Sequence, residues 1–326
     1  MTFAFIDDHK DQWPIRLMCD TLEVSTAGYY AWRERPPSSA ERRRDALVVL
    51  IRGVHIEVKR RYGSPRIHAE LVARGNDCSV NTVAKLMHDN NIRAKTARKF
   101  RHTTDSNHKL PVADNVLDRQ FDPEAPNEKW VADITYIPTR EGFLYLAAVE
   151  DLYSRRIVGW SMADHMESRL GVDALEMAVK RRLPDEGLLA HSDRGSQYAS
   201  EHYQLLLGKH GIECSMSGVG QCWDDAPMGS FFGSLKKGLV HDADFATRQV
   251  ARVEIFEYIE VFYNDQRLHS SLGYVSPAAY KQPKYPLTLC PLFLGKSTPL
   301  TLPWSGPVWR TSRSGGLLPP DVQATT

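Results

Sequence analysis

The sequence predicts an α/β protein in which a mixed-sheet core follows an all-helical, strongly basic region. Three observations carry this. The net charge of +1 over 326 residues conceals an asymmetry: residues 42–101 hold fifteen Lys and Arg against five Asp and Glu, a net of +10, whereas residues 1–41 come to −3 and residues 102–326 to −6. Three strand-like runs follow one another between residues 128 and 163. Beyond them, helical patterns alternate with short apolar runs, as strands under covering helices do. A hydrophobic fraction of 42% with 25% charged residues excludes wholesale disorder. No apolar run approaches the ~18 residues of a membrane span. The N-terminus is acidic where a secretory signal would be basic. Five cysteines without paired spacing argue against a disulfide framework or zinc ribbon and fit a reducing, cytoplasmic setting.

Residues 1–41 read as a helical segment with a short break, ending at Pro36-Pro37. Ser25 is placed to cap a helix carrying Tyr29, Tyr30 and Trp32. In residues 42–101, Leu47, Leu50, Ile51, Val54 and Val58 form the apolar face of one long helix over 40–60. A helix from Pro65 to Arg74, a turn at Gly75-Asn76-Asp77 and a helix capped by Ser79 follow. Helix, glycine turn, helix beside dense positive charge is the outline of a helix-turn-helix, with an ordinary helical hairpin as the bland alternative. The candidate DNA contacts here are Arg60, Arg61, Arg66, Lys85, Arg98 and Lys99.

Residues 102–127, with Pro111, Pro123 and Pro126, read as a linker, and residues 128–280 as the core. KWVADITYIP, FLYLAAVEDL and RRIVGWSM are consecutive strands of a meander. A helix over 168–182, a short strand over 188–193, a helix over 200–210 and a short strand over 213–217 come next. After the loop GVGQCWDDAP, one helix runs from Pro227 to Val240 and a longer one from about Thr247 to Tyr263. This is the element order of a ribonuclease-H-like fold. The tail, 281–326, with eight Pro and four Gly and no periodicity, is expected to be irregular, and its composition suggests a product of reading through an original stop.

Two carboxylates stand out. Asp133 lies inside VADITYI, sharing a strand face with Val131, Thr135 and Ile137. A charge on a half-buried strand is costly unless it is paired or bound by metal. Asp193 closes the short strand before Arg-Gly, and ligands gather at strand ends in α/β sheets. Each has a plain structural reading, as an ion-paired Asp and as a turn former. On neighbouring strands they would make a divalent-cation site of hard oxygens, suited to Mg²⁺ or Mn²⁺.

WVADITYI, HSDRGSQYAS, CWDDAPMGSFFGSLK and YNDQRLHSSLGYVSP, with VSTAGYYAW and YGSPRIHAEL nearer the front, closely resemble the OrfB-type catalytic subunit of bacterial insertion-sequence transposases. That family belongs to the retroviral-integrase-like DDE superfamily, and the resemblance spans about residues 3–280. It implies a ribonuclease-H-like core, two Mg²⁺ ions, nicking of transposon ends and strand transfer into target DNA. It also implies an upstream-encoded OrfA-type partner, a homo-oligomer on DNA, and action at the bacterial nucleoid. Asp133 and Asp193 match the first two catalytic carboxylates, which makes them the implied metal ligands. The third should be a Glu at position 229, where this chain has Gly229. A second departure is Gly238, often Glu in the family. The loss at Gly229 implies impaired strand transfer. Asp225, four residues earlier, is a conceivable substitute but reads better as a helix cap ahead of Pro227. Lys236 and Lys237 are candidates for phosphate contact. His191 and His269 have soft readings as site-tuning or turn-bonding groups. Tyr263, Asn264 and Arg267 match a family segment expected to pack on the core. A non-catalytic DNA-binding remnant and a nuclease without strand transfer are the competing functions.

Overall fold

The computed structural model describes residues 1–95, 111–218 and 226–280; the expected tail and the loop before Pro227 lie outside them. Residues 1–35 are three helices, α1 (Thr2–Asp8), α2 (Ile15–Thr21) and α3 (Thr26–Arg33). They close on a small core of their own around Ile6, Met18, Cys19 and Tyr29. Ser25 caps α3 as its sequence predicts, its hydroxyl oxygen accepting the Gly28 N–H at 3.0 Å. Next come α4 (Ser39–Glu57), α5 (Ser64–Ala73) and α6 (Val80–Asp89). A reciprocal capping box between Ser38 and Glu41 starts α4, and Ser79 caps α6 through the Thr82 N–H. Ile51 and Val54 are buried as their spacing requires, but Leu50 of the same expected face is 41% exposed. The apolar stripe of α4 is therefore narrower than the periodicity suggests.

The sheet has five strands in the order β3-β2-β1-β4-β5. Strands β1 (Lys129–Thr139), β2 (Gly142–Asp151) and β3 (Arg156–Ala163) form the antiparallel meander. Strands β4 (Leu189–Ser192) and β5 (Glu213–Met216) add in parallel on the far side of β1. Period-two alternation sorts the side chains. Trp130, Ala132, Ala147 and Val149 lie in one core with α7 (Ser168–Arg182) and α8 (Glu201–Lys209). Val131, Ile137, Leu144 and Leu146 lie in the other, with α9 (Ala226–Gly238) and α10 (Arg248–Phe256). Ile51, Ile67, Leu71 and Val83 of α4–α6 join this second core. Gly159 is where β3 and α7 touch: a Cβ there would run into the Ala174 carbonyl and Ala178.

Two segments depart from expectation. The helix expected over 247–263 is α-helical only to Phe256 and continues as a π-helix, Glu257–Gln266. The wider turn buries Phe262, Tyr263 and Asn264 in succession. Within the stretch read as a linker, Leu117 is fully buried, and the N–H groups of Val116 and Leu117 both donate to the Ser215 hydroxyl oxygen. Among the described residues no helix is long and apolar enough to cross a membrane.

Candidate active site

Asp133 sits midway along β1, and Asp193 directly follows β4. The strands run parallel, with Val131 beside His191 and Ala132 beside Ser192. The paired residues end there; one further step of the same register would bring Asp133 level with Asp193, on strands roughly 4.8 Å apart. Asp133 faces the core that holds Val131 and Ile137. One oxygen of Asp133 accepts the Ile134 N–H at 2.7 Å. One oxygen of Asp193 accepts the Gly195 N–H at 2.9 Å. A Cβ on residue 195 would stand 2.9 Å from that same Asp193 oxygen and 2.8 Å from the Gln197 side-chain oxygen, so a larger residue there would push on both side chains.

Helix α9 covers this face through Met228, Phe231, Phe232 and Leu235. Gly229 and Lys236 are nearly two helical turns apart, so they share a side of α9 with Gly233 between them. Lys236 is half-buried, its ammonium 5.0 Å from the Tyr136 ring centre. Burial lowers the Lys236 pKa, and the negative charge of Asp133 opposes that shift. Asp133 is thus near enough to act on the charge of Lys236, and Gly229 lies on the same side of α9 as Lys236. A Cβ at residue 229 would meet nothing within 4 Å. Among the described residues, no third His, Cys, Asp or Glu completes a metal-binding group with the two aspartates. Asp225 lies outside the described residues.

Gly238 is a different case. A Cβ there would press on the Tyr258 ring at 3.1 Å. Its carbonyl accepts from Arg61 at 3.3 Å and from Lys95 at 3.1 Å. The position is occupied by packing, whereas position 229 is open.

His191 is buried and braced at both ends, by Ser215 at 2.8 Å and Ser217 at 3.1 Å. The Ser215 oxygen already accepts two backbone N–H groups, so its own proton points to His191 Nδ1. His269 bonds Ser271 at 2.8 Å. Burial, reinforced by Arg267, Arg155 and Arg66, pushes its pKa down to about 3, so the ring is neutral.

The basic residues separate into two groups. Arg60 and Lys85 are exposed, and Lys237 is half-buried on α9. Arg61 and Arg66 are half-buried and engaged by other groups of the protein. The Arg61 guanidinium stacks over Phe262 at 4.2 Å and Tyr258 at 5.0 Å. Arg66 donates to the Leu268 carbonyl at 2.7 Å. Arg98 and Lys99 lie outside the described residues. Sequence reasoning missed a clasp formed here. The Tyr62 hydroxyl donates to the Gln266 carbonyl at 3.1 Å and accepts the Leu268 N–H at 2.9 Å. Its signal was the pair of Tyr- and Arg-containing motifs, YGSPR and YNDQRLH, whose bonded residues Tyr62 and Gln266 are 204 positions apart.

A five-stranded mixed sheet with one aspartate on β1 and another just after the adjoining β4, preceded by a helical basic region, has the outline of an integrase-type core. Residues 123–222 and 229–284 match the Integrase core domain family, and residues 42–100 match the HTH-like domain family. The chain is 41% identical over 283 residues to the transposase InsF for insertion sequence IS3A of Escherichia coli (strain K12), covering 86% of this chain and 98% of that protein. It is 44% identical over 265 residues to the insertion element IS600 uncharacterized 31 kDa protein of Shigella sonnei, covering 81% of this chain and 97% of that one. The HTLV-2 integrase catalytic core in complex with magnesium is also similar, at 15% identity and a TM-score of 0.37 over 48% of this chain and 97% of that chain. The chain belongs to the InsF-type transposases of the IS3 insertion-sequence family.

Proposed function

We propose that the chain is a DNA-processing transposase subunit whose Asp133 and Asp193 hold a divalent cation, Mg²⁺ or Mn²⁺, and whose strand-transfer step is impaired at Gly229. The observation that supports this reading is the parallel register of β1 and β4, which, carried one step past Ala132 and Ser192, would bring Asp133 and Asp193 side by side on the face that α9 covers. Their chemistry fits a hard cation, since both are acceptor-only oxygens. When bound, such a cation activates the attacking oxygen and clamps the scissile phosphodiester. Asp193 is oriented by the Gly195 N–H, and Lys236 sets a positive charge beside Asp133. Of the candidate contacts, Arg60, Lys85 and Lys237 are accessible to the DNA backbone, including transposon ends and target. An OrfA-type partner, a homo-oligomer on DNA and a cytoplasmic, nucleoid-associated location belong to the same reading.

The missing third carboxylate favours a second reading, a DNA-binding remnant with an inactive core. Strand transfer of a duplex carrying the element's own ends into supercoiled plasmid, with Mg²⁺ or Mn²⁺, separates the two. Gly229→Glu is expected to raise the rate about a hundredfold or more, and to tighten Mn²⁺ binding by calorimetry. Equal, robust activity in wild type and Gly229→Glu contradicts impairment. Inactivity of both, with DNA binding intact, favours the remnant.

A further inference from the structure

We propose that α1–α3 form a second helix-turn-helix, separate from the one at 42–100, which binds duplex DNA through the exposed face of α3. The inference rests on the DNA-processing function above and adds a reading surface to it.

The turn between α2 and α3 is four residues, Leu22–Ser25, the length at which one helix crosses the DNA backbone and the next enters a groove. Its geometry is fixed by its own bonds. Glu23 takes a left-handed φ of 53°. The Val24 N–H returns to the Cys19 carbonyl at 3.0 Å. Ser25 then caps α3. Tyr29 is fully buried against Ile6, Met18 and Cys19, and Trp32 packs beside it. With that face of α3 anchored, Ala27, Tyr30 and Ala31 are left in solvent, Tyr30 being 44% exposed.

This outer face suits a major groove. Two alanines let the helix axis approach the base edges, and their methyls match the thymine methyl; Tyr30 brings one hydroxyl. Arg33 and Arg35 at the end of α3, and Arg16 in the first turn of α2, are exposed and positioned for phosphates. The acidic residues of 1–41 lie outside α3 itself, though three are close to it: Asp20 near the end of α2, Glu23 in the turn, and Glu34 directly after α3, between Arg33 and Arg35 at the end of the outer face. No carboxylate falls within α3. Asp7 is held by the Tyr29 hydroxyl at 2.8 Å and by Lys10 at 3.2 Å. Asp8 and Asp11 lie on α1 or just after it, and Glu41 is spent in the α4 capping box. Residues 34–38 alone separate this unit from α4, so it sits in tandem with the matched HTH-like domain.

The test uses the full-length chain to select duplexes from a randomised pool, followed by titration of the selected DNA. Ala27→Asp and Ala31→Asp put a carboxylate on the outer face of α3, and each is expected to weaken binding about tenfold or more. Ala4→Asp, on the exposed side of α1, is the control and is expected to bind as wild type. Arg33→Ala is expected to lower the salt dependence by about one counterion. Wild-type binding by both α3 variants overturns the proposal. So does weakening that light scattering traces to a broken oligomer, which would make α3 a protein contact. If Lys85→Ala loses binding while the α3 variants keep it, the second reader is refuted and the function above stands. Absence of DNA binding by the wild-type chain refutes both.

Discussion

Asn264 bonds both backbone groups of Ile157: its carboxamide oxygen accepts the Ile157 N–H at 2.9 Å, and its nitrogen donates to the Ile157 carbonyl at 3.0 Å. β3 is an edge strand whose register slips between Val149 and Glu150. The side chain stands in for the missing neighbour strand at that irregularity, since a carboxamide carries the same donor and acceptor as a peptide.

Asn264→Ala leaves a buried N–H and a buried carbonyl without partners. The expected cost is about 3 kcal/mol, read as a lower urea midpoint. Asn264→Asp is expected to cost at least as much, because it removes the donor and buries a charge. A loss below about 1 kcal/mol in either would show that the strand edge does not need it.

Two of the three glycines of α9, Gly229 and Gly238, should respond oppositely to alanine. At Gly229 the new methyl enters open space, and helix propensity alone predicts a gain of about 0.5–1 kcal/mol. At Gly238 the methyl meets Tyr258 at 3.1 Å, and overpacking predicts a loss of about 1–3 kcal/mol. Thermal unfolding of the two variants side by side checks the contrast.

Glu150 sets a pH dependence. It is almost wholly buried on β2, and burial pushes its pKa up to about 7 against the pull of Arg155 and Arg267. A raised carboxyl pKa contributes stability that is complete below the unfolded value, 4.5, and is lost as pH rises through about 7. Wild type is therefore expected to lose stability relative to Glu150→Gln across that window, by an amount on the order of 3 kcal/mol. Parallel wild-type and variant stability curves from pH 4.5 to 7 would refute it.

Tyr62→Phe removes one hydroxyl that serves both Gln266 and Leu268. The expected loss is about 1–3 kcal/mol, with faster hydrogen exchange at the Leu268 amide. An unchanged exchange rate there would mean that Arg66 alone holds the contact.

The strands were legible because burial on a sheet enforces period two, and Asp133 stood out because a carboxylate breaks that pattern visibly. Caps at Ser25 and Ser79 were legible for the same local reason. The π-helix was not, because Tyr258, Ile259, Phe262 and Tyr263 are as compatible with a 3.6-residue turn. The roles of Arg61 and Arg66 were hidden too: a guanidinium that stacks on Phe262 and one that bonds Leu268 read, in sequence, like any other members of a basic run. Gly229 and Gly238 looked alike as letters, and only the neighbours of each Cβ tell them apart.

The Tyr62 and Arg66 clasp ties the loop and helix after α4 to the stretch that follows the π-helix. On the proposed function, whatever base pairs α6 grips are then held at a set span from the aspartates. The protein would work as a ruler, and its cut would fall a constant number of nucleotides from the recognised sequence. Loosening the clasp should blur that position before it abolishes cutting.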